Sequence, residues 1–89
     1  MHKHGRVDRN HSDIVIYLRK CGWLVHDTSS HGNGFPDLVC SLRGKIVLVE
    51  IKFSRGKLTA DQLKFRQAGW VFHIVRTLDD VLALTAAHA

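Results

Sequence analysis

The stretch GFPDLVCSLRGKIVLVEIKFSRG, residues 34–56, decides the fold of this 89-residue chain. It contains two runs of apolar, largely β-branched residues on either side of Arg43-Gly44, and each run is too short for a buried helix. Short runs of this kind around a glycine-containing turn predict a β-hairpin. Because both faces of the hairpin carry apolar side chains, we expect a central sheet with helices on each side.

Patterns on either side of the hairpin complete a single α/β domain over residues 1–89, in which residues 1–8 are expected to be flexible. Apolar residues at helical spacing indicate three helices, and short β-branched runs indicate two further strands. Asn10 or Ser12 is the expected N-cap of the first helix, and Thr59 with Gln62 is a capping box at the second. In chain order the prediction is α-β-β-β-α-β-α: helix 10–22, strands 23–27, 37–42 and 45–53, helix 58–69, strand 70–75 and helix 78–87.

Charge and composition narrow the range of functions. The formal net charge of +5 makes a polyanion, and nucleic acid first of all, the expected partner. Cys21 and Cys40 have no CxxC spacing and are expected to be reduced core residues. No segment approaches the roughly 20 apolar residues of a membrane span, and the first ten residues lack the apolar core of a secretory signal. We therefore expect a cytoplasmic protein that does not enter a membrane.

Three charged side chains converge at one end of the predicted hairpin. If Arg43 and Gly44 are the turn residues, Asp37 lies opposite Glu50, and Lys52 projects from the same face. Opposed carboxylates repel each other, so either one is protonated or a cation lies between them. That cation could be Lys52, in a structural ion triad, or a bound Mg²⁺ held by carboxylate oxygens. The glycine-rich loop HGNGFP, residues 31–36, and the basic loop KFSRGK, residues 52–57, flank this end. These surroundings favour a bound metal ion and a phosphate substrate.

These residues resemble the motifs of the PD-(D/E)xK nuclease superfamily. G-F-P-D-L at residues 34–38, E-I-K at 50–52 and L-T-A-D-Q at 58–62 are most similar to the VRR-Nuc (virus-type replication–repair nuclease) domain in its small stand-alone form. The resemblance spans nearly the whole chain and implies a restriction-endonuclease-like core. It also implies a DNA endonuclease that uses Mg²⁺, with Mn²⁺ as a substitute. A branched DNA substrate such as a Holliday junction or a flap, a homodimer, and the cytoplasm of a bacterial or phage-infected cell are further implications.

The resemblance also implies roles for individual residues. Asp37, Glu50 and the backbone carbonyl of Ile51 would bind the metal ion. Lys52 would orient or activate the attacking water and stabilise the charge that develops on the phosphate. Gln62 corresponds to the glutamine of the family, but its capping-box role requires the same side chain, and both interpretations stay open.

Several further side chains are candidates with an alternative structural interpretation. His11 faces inward with the apolar stripe of the first helix, where related sequences tend to have glutamine. It either supports the active site or is a core residue, and Asp8 is a weaker candidate on the same side. The alternative to an enzyme is a non-catalytic nucleic-acid-binding module with a structural Asp-Glu-Lys triad. The candidate DNA-phosphate contacts, which could equally be solvated loop charges, are His31, Arg55 and Lys57.

Overall fold

The computed structural model describes the backbone of residues 4–89 and the side chains of residues 10–89. The observed order confirms the predicted α-β-β-β-α-β-α. Residues 1–3 and the side chain of Asp8 lie outside the described part of the chain. The flexibility of residues 1–8 and the role of Asp8 in the site therefore stay predictions. The elements are α1 (His4–Lys20), β1 (Leu24–Asp27), β2 (Leu38–Leu42), β3 (Lys45–Ile51), α2 (Ala60–Gln67), β4 (His73–Val75) and α3 (Leu78–Ala87).

The four strands form one mixed sheet in the order β1-β2-β3-β4. Strands β1, β2 and β3 pair antiparallel, whereas β4 lies parallel to β3. The hairpin pairs Leu42 with Lys45 and Leu38 with Val49, which is the register expected for a two-residue turn at Arg43-Gly44. Both turn residues have positive φ, 54° and 84°, as in the turns whose twist matches that of the flanking strands. The predicted hairpin and its register are confirmed.

The core lies on one face of the sheet, beneath helices α1 and α3. Helix α1 contributes Ile14 and Leu18, and helix α3 contributes Val81 and Leu84. Their spacing of three or four residues places each pair on one side of its helix, so both helices can bury an apolar stripe against the strands. The sheet residues buried in the same cluster are Leu38, Cys40, Leu42, Val47, Val49 and Val75.

The opposite face of the sheet is covered at one end only. Helix α2 has no buried residue and contacts this face through Gln62, whose side chain meets Glu50. Leu24 and Ile46 share this face because both are paired with Ser41, and they are 74% and 70% exposed. Helices therefore flank the sheet on both sides, as expected, but an apolar row on the second face stays open.

Most boundaries lie within two residues of the sequence prediction, and two differ by more. Helix α1 begins at His4, so Asn10 and Ser12 lie inside the helix and do not cap it. The sequence before Asn10 contains no proline, so it carries no residue that is incompatible with a longer helix. The helix ends at Lys20, two residues before the predicted end, and Gly22 follows with a φ of 98° that favours glycine. Strand β4 has three residues instead of six, because only these pair with β3.

The two tryptophans are buried to different degrees, and the two cysteines are free. Trp23 is buried, and its indole N–H donates to Thr85 Oγ1 at 2.8 Å. Trp70 stacks on Phe65 with ring centroids 5.3 Å apart, but it is 56% exposed. Both cysteines are free, and burial raises the pKa of the Cys40 thiol to about 12, which makes this thiol unreactive.

Candidate active site

The end of the hairpin brings together the three predicted charges. Asp37 directly precedes β2, Glu50 lies near the end of β3, and Lys52 directly follows it. The backbone carbonyl of Asp37 accepts a hydrogen bond from the Thr28 N–H at 2.7 Å, and the Lys52 N–H donates to the Val75 carbonyl at 3.2 Å. The backbone is thus hydrogen-bonded at both positions, to the residue directly after β1 and to the last residue of β4, so the side chains project from a fixed backbone.

Glu50 is the buried acid of the site. Its side chain is 4% exposed, and its Oε2 accepts a hydrogen bond from Gln62 Nε2 at 2.7 Å and lies 3.3 Å from Lys52 Nζ. Its other oxygen, Oε1, is also buried and has no hydrogen-bond partner within the described part of the chain. A buried carboxylate oxygen without a partner is costly, so Oε1 is well suited to accept a ligand.

The electrostatics of Glu50 show that the two carboxylates interact. Burial raises the pKa of Glu50, and the charge of Asp37 raises it further, whereas the Lys52 ammonium and the Gln62 amide lower it. The raised pKa means that the site, as built from protein groups alone, does not fully stabilise the ionised acid. The repulsion predicted from the hairpin register is therefore present, and one lysine does not cancel it.

Asp37 shows the same imbalance. Burial raises the pKa of its carboxyl, while a hydrogen bond from the Ile51 N–H to Oδ2 at 3.0 Å acts in the opposite direction. The charges of His11 and Lys52 lower this pKa as well, His11 by more than Lys52. Two acids with raised pKa values and one nearby ammonium form a site that gains from a further cation.

The oxygen ligands in this arrangement fit a hard divalent cation. Among residues 10–89 no group of three or more His, Cys, Asp or Glu side chains is placed to hold a metal ion. Asp37, Glu50 and the carbonyl of Ile51 would instead supply only oxygen atoms and leave coordination positions for water and phosphate. This is the ligand set that Mg²⁺ prefers, whereas a structural zinc site would need four nitrogen or sulfur ligands.

Gln62 serves helix α2 and the site at once. Its Oε1 accepts a hydrogen bond from the Thr59 N–H at 2.9 Å, and its backbone N–H donates to Thr59 Oγ1 at 3.2 Å. This is the predicted capping box. Its Nε2 donates to Glu50 Oε2. The two roles that we expected to compete use opposite ends of one amide.

A cavity of about 470 Å³ opens between helix α1 and the end of the hairpin. Asn10 spans this gap, since its Nδ2 donates to the backbone carbonyl of Lys52 at 3.5 Å. Asp37 and Ile51 line the cavity. Ile51 lies between Glu50 and Lys52 in the sequence, so the cavity is next to both of these residues. The polar lining comes from both sides: Asn10, His11, Ser12, Asp27, Ser29 and Asp37.

The chain is similar over its whole length to a solved structure of a VRR-Nuc domain. The match covers 100% of this chain and 100% of that chain, with 30% sequence identity and a TM-score of 0.66. The chain belongs to the VRR-Nuc family. A scan of protein-family models and a search of curated proteins gave no match.

Membership of the VRR-Nuc family makes this chain a nuclease-type domain that binds DNA. The expected α/β fold with a mixed sheet and flanking helices is the VRR-Nuc fold. No described helix is long and apolar enough to cross a membrane.

Beside the VRR-Nuc motif residues lies a pair of side chains, one of which the sequence analysis missed. His11 Nε2 is 2.8 Å from Asp27 Oδ2, and Asp27 Oδ1 accepts hydrogen bonds from the Ser29 N–H and hydroxyl. Partial burial alone would raise the pKa of Asp27, but the hydrogen bonds from Ser29 and the contribution of His11 outweigh it and lower the pKa to about 2. The only signal in the sequence that could have indicated Asp27 is its place as an acid at the end of a predicted strand, directly before a serine-rich loop.

The predicted phosphate contacts do not line the cavity. His31, Arg55 and Lys57 are all exposed on loops. The His31 ring packs against Phe35 with centroids 4.9 Å apart, two residues before Asp37. These three side chains are therefore accessible from solvent, and their contact with DNA phosphates stays a prediction.

Arg76 holds the basic loop through hydrogen bonds. No sequence pattern had indicated this role. Its Nη1 donates to the backbone carbonyls of Ser54 and Gly56, each at 2.8 Å. Its backbone N–H donates to Asp80 Oδ2 at 2.8 Å, which attaches this position to helix α3. The loop that follows Lys52 is thus held in one conformation by a residue at the end of β4.

Proposed function

We propose that this VRR-Nuc domain is a metal-dependent endonuclease that hydrolyses phosphodiester bonds in DNA. The observation that carries the proposal is Glu50 Oε1, a buried oxygen without a partner among the described residues. In a structural triad, Lys52 would compensate both acids. Here Lys52 lies against Glu50 Oε2, which already accepts a hydrogen bond from Gln62, and the orphaned oxygen faces no protein donor.

Asp37, Glu50 and the backbone carbonyl of Ile51 would hold Mg²⁺, with Mn²⁺ as a substitute. When bound, such an ion lowers the pKa of a coordinated water and offsets negative charge on the phosphate. The ion would also relieve the repulsion that raises the pKa of Glu50. The unsatisfied oxygen and the two perturbed acids are thus explained by one ligand.

The protein's own side chains then have separate tasks. Lys52 is held by Glu50 with 13% of its side chain exposed, so its ammonium can stabilise charge on a phosphate and orient the attacking water. Gln62 keeps Glu50 oriented through the hydrogen bond to Oε2. The exposed side chains of His31, Arg55 and Lys57 would contact DNA phosphates along the approach to the cavity.

The proposed substrate is branched or structured DNA, such as a Holliday junction or a flap, cut by a homodimer. An 89-residue domain covers little DNA, and cutting two strands of a symmetric junction requires two active sites related by a two-fold axis. The open row of Leu24 and Ile46 on the second sheet face offers an apolar surface for self-association. The cytoplasm of a bacterial or phage-infected cell, where its DNA substrates would be found, is the proposed location.

A cleavage panel of linear, flap and four-way DNA with Mg²⁺ or with Mn²⁺, with EDTA as the metal-free control, tests the proposal. Lys52→Met should lower the cleavage rate by about 10²-fold or more, because the ammonium acts on the charge of the transition state. Lys45→Met is the matched control, because it removes the same positive charge at the opposite end of β3. Wild-type cleavage by Lys52→Met would overturn the catalytic assignment. DNA binding without cleavage in either metal would favour the non-catalytic module.

A further inference from the structure

The ionised state of Asp27 determines how His11 is protonated. The pKa of Asp27 is lowered to about 2, so above this pH the carboxylate can only accept hydrogen bonds. Its Oδ1 is occupied by the N–H and the hydroxyl of Ser29, and its Oδ2 lies 2.8 Å from His11 Nε2. His11 Nε2 must therefore carry the hydrogen and donate it.

This hydrogen bond leaves Nδ1 as the remaining polar atom of the His11 ring. In the neutral ring with its hydrogen at Nε2, Nδ1 is a hydrogen-bond acceptor. The His11 side chain is 20% exposed and lines the same cavity as Asp37 and Ile51. An imidazole that is oriented by a carboxylate and faces a polar cavity is the arrangement by which many hydrolases hold a reacting group.

Other interpretations of the pair explain less. Asp27 is a poor metal ligand, because both of its oxygens already accept hydrogen bonds. A purely stabilising ion pair would gain little here, since the Asp27 side chain is 54% exposed and water screens the charges. A core role for His11 does not account for its place in the cavity wall.

We propose that His11 is a further catalytic residue whose Nδ1 accepts a hydrogen bond from the attacking water. Asp27 and Ser29 are positioning residues that hold the ring in the required tautomer. The inference rests on the proposed nuclease function and extends it to the α1 and β1 side of the cavity. His11 and Asp37 line the same cavity, and Lys52 directly follows Ile51, a further lining residue.

The tautomer can be measured on the metal-free protein without any cleavage. Nitrogen-15 NMR of the imidazole rings at pH 8 should show His11 protonated at Nε2 and unprotonated at Nδ1. In Asp27→Ala this preference should weaken, because the acceptor for Nε2 is gone. A wild-type ring protonated at Nδ1 would overturn the inference whether or not the protein is a nuclease.

The catalytic role is tested by two substitutions of His11. Phenylalanine keeps an aromatic ring but has no hydrogen-bond acceptor. Glutamine has no ring but keeps a hydrogen-bond acceptor that can reach into the cavity. We expect His11→Phe to lower kcat by about 10²-fold, with KM and Mn²⁺ affinity within about twofold of wild type, and His11→Gln to retain most of the rate. Asp27→Asn should lower kcat by an intermediate factor.

His26→Phe is the control, since His26 is an exposed histidine on the same strand as Asp27, and it should leave kcat unchanged. Wild-type kcat in His11→Phe, or an equal loss in His11→Gln and His11→Phe, would overturn the inference. Absence of cleavage by the wild-type protein on every substrate would instead count against the proposed function, and the NMR result would still stand.

Discussion

Gln62 joins a helix cap to a buried acid: one end of its amide accepts from the Thr59 N–H, and the other donates to Glu50 Oε2 at 2.7 Å. The capping geometry orients the amide, and the amide in turn orients the carboxylate. Because the contact spans helix α2 and strand β3, the position of the helix is coupled to the shape of the site. This relationship makes the two roles of Gln62 separable by substitution.

Gln62→Glu should damage the site and spare the helix. Glutamate still accepts from the Thr59 N–H, so the cap persists, but it cannot donate to Glu50 and adds a like charge beside it. We expect cleavage to fall by about tenfold or more with little change in melting temperature, because the like charge raises the pKa of Glu50 further.

The matched variant, Thr59→Ala, has the opposite profile. It removes the cap and should cost about 1 kcal/mol of stability, but it leaves the Gln62 donor in place. Thermal melts and single-turnover cleavage, measured on both variants, separate the two roles. Equal losses of rate would show that the contact with Glu50 has no function of its own.

The metal-free protein should lose stability as the pH rises from acidic values. Burial raises the pKa of Asp37 above 3.8 and that of Glu50 above 4.5, so the folded state binds these protons more tightly than the unfolded chain. The free energy of unfolding therefore falls as the pH rises from about 4 through the raised values. Melting curves with EDTA should show this fall, and the Asp37→Asn/Glu50→Gln double variant should lack it. A fall of equal size in both proteins would contradict the assignment to these acids.

Mn²⁺ should restore the stability that ionisation of the two acids removes. At neutral pH and at a free concentration of 100 times its Kd, the ion should stabilise the fold by about 2.7 kcal/mol. For a domain of this size this corresponds to a rise in Tm of about 10 °C or more. The double variant with neutral amides should show no such rise. An equal rise in that variant would place the ion elsewhere.

Gly34→Ala should disturb the packing of helix α2 against the loop before Asp37. A Cβ at Gly34 would lie 2.5 Å from the backbone carbonyl oxygen of Asp61, and the φ of 80° adds strain. We expect a loss of about 1–2 kcal/mol from the backbone conformation and about 1–3 kcal/mol from the overlap. Gly32→Ala is the control, because its φ of 77° is similar but its Cβ would meet nothing within 4 Å. Chemical denaturation should show the larger loss for Gly34→Ala, and equal losses would contradict the close approach.

The open face of the sheet should mediate the proposed homodimer. Ile46 is 70% exposed in a strand, so Ile46→Lys should be tolerated by the monomer and should weaken association. Ile16→Lys on helix α1 is the control for adding a charge at an exposed isoleucine. Sedimentation equilibrium should give a dimer for the wild type and for Ile16→Lys, and a monomer for Ile46→Lys. A wild-type protein that stays monomeric at high concentration would refute the dimer.

Local patterns in the sequence were sufficient to predict the hairpin and the positions at which two of the helices begin. The register follows from a two-residue turn at Arg43-Gly44 and from the alternation of side chains along the strands. The cap at Thr59 was also readable from residues a few positions apart. The cap of the first helix was not, since α1 extends to His4, beyond the polar residues that resembled its start.

The convergence of Asp37, Glu50 and Lys52 was likewise determined by the sequence, because a known register across a short turn fixes which side chains are neighbours. Only the tertiary structure decided that Asp27 holds His11, that Gln62 reaches Glu50, and that Glu50 Oε1 is left without a partner in the described chain. These contacts join residues on different elements, 16 positions apart for His11 and Asp27 and 12 for Glu50 and Gln62. The physical reason is that such distances depend on how whole helices pack on the sheet, and no spacing along one segment encodes them.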